Sequence, residues 1–211
     1  MGAKTWMLVY ANAGVGEILR DNPPLDRDAT QQLASTLFPK DKLEVIGEGG
    51  LSYTCPPRNE IHIGCFPGVS IVAAKEFGID HPSKLPTRFI SYGGSGTIYL
   101  HVMHSVVDWL AFAKWINGEL VRSLSVSPDG VAEDIGKRLP FEEPFWSGLH
   151  PVTSDNDDAY PLPFHPLELG EVVLKEFFGY QLEGFGDPGQ FEPKGIPLLR
   201  YKRRRSRWKL W

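Results

Sequence analysis

The sequence predicts an α+β fold, with an antiparallel or mixed sheet carrying two or three packed helices in a single domain over residues 1–199. A basic, aromatic-containing tail is expected at 200–211. Three observations carry this reading. Short apolar runs rich in β-branched and aromatic residues recur between Gly- and Pro-containing breaks. Two other segments place their apolar residues at helical spacing. Finally, 22 glycines and 18 prolines in 211 residues interrupt the chain too often for a long helical bundle. A hydrophobic fraction of 42% is enough for one sizeable core and excludes a disordered chain.

Lys4 to Ala11 reads as a buried first strand, because Trp6-Met7-Leu8-Val9-Tyr10 is a continuous apolar run bounded by Asn12 and Gly14. Asp28 with Gln31 three residues later resembles a capping box. Ala29, Leu33, Ala34, Leu37 and Phe38 then follow at helical spacing until Pro39. Short strands are expected at 43–46, 60–66 and 69–74, and a loop over 80–88.

The segment 97–127 is the most informative. Asn117-Gly118 separates two β-rich runs and is a strong hairpin signal. A two-residue turn would pair Trp115 with Leu120, Ala113 with Arg122, Ala111 with Leu124 and Trp109 with Val126. The competing reading is a helix over 102–116 with Gly118 just past its end. The hairpin is favoured because both arms are dense in strand formers, and a break near His104 to Asp108 is expected because one strand from 97 to 116 would be too long. After a Pro- and acid-rich loop from Leu139 to Pro163, a C-terminal helix is predicted within His165 to Gly179, with Pro166 at its first position and Gly179 just past its end. Leu169, Val173, Leu174, Phe177 and Phe178 form its buried stripe, and Glu171 and Lys175 an exposed pair.

Three strings, LHVMHSVVDWLAFAKWINGELVRSLSVSPDG, PFEEPFW and YPLPFHPLELGE, closely resemble a family of small uncharacterised actinobacterial proteins. The likeness runs from Met1 to about Gly184, and the family has no assigned activity, so it implies no catalytic residue. The arm from Gly118 to Pro140 is also similar to β-hairpins in bacterial proteins of toxin-immunity or interaction type.

Several residues carry chemistry in principle. His101, His104 and Asp108 at i, i+3 and i+7 would align as metal ligands on a helix, but on a strand His101 points away from the other two. A buried, hydrogen-bonded polar network of His104, Ser105 and Asp108 is the simpler reading. A catalytic triad from the same residues lacks an elbow motif around Ser105, and Ser95 within Gly93-Gly94-Ser95-Gly96 reads as a turn. Gly14-x-Gly16 stands where a phosphate loop begins, yet Leu19 replaces the third glycine. Asp155, Asp157 and Asp158 suggest calcium only until Ala159 breaks the pattern. No cofactor is expected.

Charge is uneven. The chain has 22 bases and 26 acids, and seven of the bases fall in residues 200–211, which hold no acid. Removing the seven leaves 15 bases against 26 acids, so residues 1–199 carry −11 and the last twelve +7. Arg203, Arg204, Arg205, Arg207 and Trp208 are therefore candidates to contact a polyanion or partner. With two cysteines, no export signal and no transmembrane segment in view, the expectation is a cytoplasmic, non-enzymatic interaction or binding protein. An unknown protein partner is the leading one, and nucleic acid or an anionic surface through the tail the next. The alternative is a metal-assisted hydrolase using His101, His104 and Asp108.

Overall fold

A computed structural model describes residues 2–152, 160–183 and 189–204. Nine strands form one sheet: β1 Lys4–Ala11, β2 Lys42–Gly50, β3 Glu60–Phe66, β4 Val69–Ala74, β5 Thr97–His104, β6 Trp109–Ile116, β7 Glu119–Ser127, β8 Gly130–Gly136 and β9 Pro197–Arg204. Their order across the sheet is β2-β9-β3-β4-β1-β5-β6-β7-β8. Every ladder between these strands is antiparallel. The helices are α1 Val15–Arg20, α2 Arg27–Leu37, α3 Thr87–Tyr92, α4 Glu143–Trp146 and α5 Pro166–Phe178.

The α+β expectation is corrected by this architecture, which is mostly sheet rather than a sheet with two or three packed helices. Two stretches account for the difference. Residues 97–136 form an unbroken up-and-down meander of four strands. The segment read as the start of a tail supplies the ninth strand, inserted between β2 and β3. Of the helices, only α2 and α5 exceed six residues among the described part, and the expected loops at 80–88 and 139–163 hold α3, α4 and short 3-10 turns instead.

Both faces of the sheet are covered, which is why β1, β3 and β4 read as continuous apolar runs. On one face Met7, Val9, Ile71, Met103, Phe112 and Leu124 pack against the α5 stripe of Leu169, Val173, Leu174, Phe177 and Phe178. On the other, Trp6, Leu8, Ile63, Val72, Leu100 and Trp115 pack against Leu33, Ala34 and Leu37 of α2. The α2 cap is Asp26, whose side chain accepts from the Ala29 amide, not Asp28. Gly179 ends α5 in the left-handed conformation, at φ 81°. Gly16 is explained by packing, since a Cβ there would stand 2.9 Å from the Gly179 Cα.

The Asn117-Gly118 turn joins β6 and β7 with positive φ at both residues, and Trp115 pairs with Leu120. A bulge then shifts the remaining register by one, so that Lys114 pairs with Arg122, Ala113 with Ser123 and Ala111 with Ser125. The helix alternative over 102–116 is overturned by β5 and β6. Tyr201 in β9 is buried, so the fold extends past residue 199 to at least Arg204, while Arg205, Arg207 and Trp208 lie outside the described residues. Among the described residues, no helix is long and apolar enough to cross a membrane.

Candidate functional site

The residues singled out from sequence are dispersed. His101 is fully buried under α5, with Nδ1 2.7 Å from the Thr5 hydroxyl and Nε2 3.0 Å from the Gly170 carbonyl oxygen. Burial lowers its pKa to about 4, against the opposing pull of the Gly170 bond, so the ring is neutral and both nitrogens are used. His104 lies on the opposite face, its ring 5.5 Å from that of Trp6. Asp108, in a left-handed turn at φ 45°, reaches His165 at the start of α5, 3.7 Å away. Ser105 abuts Gly2, where a Cβ would stand 2.1 Å from the hydroxyl oxygen. The four therefore serve different neighbours, and no group of three His, Cys, Asp or Glu side chains able to hold a metal ion occurs among the described residues. Asp155, Asp157 and Asp158 lie outside those residues.

Two of the proposed tail bases already have acidic partners. Arg204 pairs with Glu44 at 2.6 Å. Arg203 reaches Glu76 at 2.5 Å and Asp41 at 3.2 Å, and its guanidinium lies 4.8 Å from the centre of the Phe38 ring. Glu171, expected on the surface, is buried instead and accepts from the Leu182 amide at 2.8 Å. That burial raises its carboxyl to about 6.

A cleft that the sequence reading missed is built where β1 outruns β4. The β1–β4 ladder begins at Met7, which leaves the backbone of Thr5 and Trp6 open on that side. The loop after β2 fills the gap: the Trp6 amide donates to the Thr54 carbonyl at 2.8 Å, and Thr5 and Thr54 form a parallel bridge. The chain leaving β4 turns back at Lys75–Phe77 and puts the Lys75 ammonium 3.9 Å from the centre of the Trp6 ring. Between this turn and the loop lies a cavity of about 610 Å³, walled by Trp6, Cys55, Pro56 and Pro57. Arg58, Lys75, Arg203 and Glu76 supply its charges.

A second cavity of about 600 Å³ shares Tyr53 and Cys55 with the first and continues along Ala3, Lys4, Val106, Leu182 and Glu183. Two residues of the first cavity's wall carry buried polar atoms without a hydrogen-bond partner, Arg203 Nη2 and Glu76 Oε2. Burial raises the Cys55 thiol, outweighing Lys75 and Lys4, so it stays protonated near neutral pH. His104 is pushed down, first by burial and then by Lys4, and is neutral there too.

Apart from Arg203, the residues that build this cleft, from Trp6 to Arg58 and Lys75, lie within the stretch matched by a family of unknown function, DUF6928, over residues 5–201. The chain belongs to that family. The match passes the point near Gly184 where the sequence resemblance was expected to end and takes in β9 as far as Tyr201. No curated protein and no solved structure matches the chain. DUF6928 carries no assigned activity, so chemistry must be argued from the cleft itself.

Proposed function

We propose that the chain is a non-enzymatic, cytoplasmic binding protein that holds an anionic ligand in the cleft beside Trp6. The observation that carries this reading is charge placement. Arg58, Lys75 and Arg203 converge on one concavity against the single acid Glu76, in a chain whose net charge is −4. Arg203 is already paired, whereas the exposed Arg58 and Lys75 make no ion pair among the described residues. Their positive charge is available to a ligand.

The non-enzymatic part rests on the state of the groups nearby. Catalysis by Cys55 would need a thiolate, and burial favours the thiol. The free state of Cys55 and Cys65 fits a reducing compartment.

The test is calorimetric titration of the protein with inorganic phosphate and with small organic phosphates and carboxylates. Binding should weaken as salt rises, and by at least about tenfold in a Lys75→Met/Arg58→Met double variant, the size expected of two lost charge-assisted contacts. Equal affinity of the wild type and the double variant for every anion would overturn the reading.

A further inference from the structure

Resting on the anion reading, we infer that the ligand is amphipathic, its charged head among Arg58, Lys75 and Arg203 and its hydrocarbon chain passing Cys55 into the second cavity. The two cavities, about 610 and 600 Å³, share Tyr53 and Cys55 in their walls, so a chain leaving the first would cross these two residues to reach the second. A phosphate or carboxylate alone would leave most of that space to water.

The two ends differ in character. The first has three cations to one acid. In the second, the charges of Lys4 and Glu183 oppose each other, and Glu183 already accepts from the Ala3 amide at 2.8 Å. What remains there is Ala3, Val106, Leu182, the Tyr53 ring and Cys55, with Gly2 and the small polar Ser52. Val106 is 72% exposed and Tyr53 51%, so apolar surface that a bound chain would cover stands open to water at the rim. The junction suits such a chain as well, because Cys55 is an uncharged thiol of low polarity. The cations line a concavity rather than a flat surface, which favours a single dissolved amphiphile over a membrane.

The experiment compares inorganic phosphate, butyl, octyl and decyl phosphate, decanoate and octanol by calorimetry below their micelle concentrations, with maleimide labelling of Cys55 as a second readout. Cys65 is buried and serves as the internal reference. Affinity should climb from butyl to decyl phosphate, by up to about three- to fourfold for each fully buried methylene. Decanoate should bind as well, octanol at least tenfold more weakly than octyl phosphate, and decyl phosphate should shield Cys55 where phosphate does not. Val106→Ser, which removes apolar surface without adding charge, should blunt the chain-length gain, and Lys75→Met should weaken every anion.

Phosphate and decyl phosphate binding equally, both sensitive to Lys75→Met, would overturn the chain path and leave the anion cleft standing. Octanol binding as tightly as octyl phosphate would overturn the anion reading instead. Retention on phosphatidylglycerol vesicles without binding of any monomeric probe would overturn the soluble amphiphile in favour of a membrane surface.

Discussion

Two regions of this sheet treat their polar groups in opposite ways. In the half running from β5 to β8, buried charge is fully committed. Arg122 donates to both oxygens of Glu142, at 2.8 and 2.6 Å, with both side chains wholly buried, and adds bonds to Asp134, the Ser123 carbonyl and the Ile135 carbonyl. On the other face Glu133 accepts from the hydroxyls of Ser83 and Ser123 and from the Ser83 amide. Around Trp6, by contrast, polar atoms of Arg203 and Glu76 are left without partners beside an open cavity. Full satisfaction marks structure, and a cluster of unmet polar groups beside space marks a place prepared for something else.

Breaking the satisfied side should have the largest effect. Arg122→Met strands the Glu142 carboxylate among apolar neighbours and should cost about 3–5 kcal/mol, the usual penalty for removing one partner of a buried ion pair. Urea unfolding measures it. A loss below about 1 kcal/mol would show that Glu142 finds another partner or escapes to water, and the contrast between the two regions would weaken accordingly.

The committed side was also the side whose local pattern could be read. Asn117-Gly118 announces its turn because positive φ at two successive residues selects these residue types, and the α5 stripe is a pure periodicity signal. The bulge after Leu120 was not readable. It changes no residue type, yet it turns Arg122 toward Phe112 and Glu142 instead of the opposite face, so a one-residue shift decided where the charge went. The cleft was harder still, because Trp6, Cys55, Lys75 and Arg203 are brought together by strand order and by β1 outrunning β4. Proximity in sequence misled in the reverse direction: His101, His104 and Asp108 look like a constellation, but alternation on β5 and the turn after it send them to different neighbours. The basic run was deceptive for a third reason. Its first members alternate in β9 and meet acids already in place, Arg200 with Glu60 and Arg204 with Glu44, and those partners are over a hundred residues away.

A pH experiment sharpens the account of the buried side, because α5 and the strand β5 beneath it carry two groups shifted in opposite senses. His101, depressed to about 4, contributes stability that is complete above pH 6.5 and is lost as pH falls toward 4, about 3 kcal/mol in all. Glu171, raised to about 6 from 4.5, works the other way: its effect is most favourable below pH 4.5 and costs about 2 kcal/mol once pH has risen past 6. Between 4.5 and 6 the two slopes oppose each other. Glu171→Gln should therefore match the wild type near pH 4, become more stable by up to about 2 kcal/mol above pH 6, and fall more steeply on acidification. Urea unfolding across that range checks it. A pH-independent difference between variant and wild type would mean that the Glu171 carboxyl is not held in its neutral form.

The smallest effect is expected at the cleft, where a cation is removed from surroundings that do not depend on it. Lys75 is exposed and lies over Trp6 at 3.9 Å. Lys75→Met forfeits that cation–π contact, about 0.5–1 kcal/mol at such a site. Two gains offset it. The methionine sulfur can rest on the same ring, and the repulsion among Lys75, Arg58 and Arg203 is relieved. The net change in unfolding free energy should thus stay within about 0.5 kcal/mol, as for a surface substitution, even though anion binding falls. This separation is what distinguishes a side chain kept for a ligand from one kept for the fold. Were Lys75→Met to cost more than about 2 kcal/mol, a scale reserved for buried or networked groups, Lys75 would belong with Arg122 as a structural charge and the cleft would lose its principal free cation.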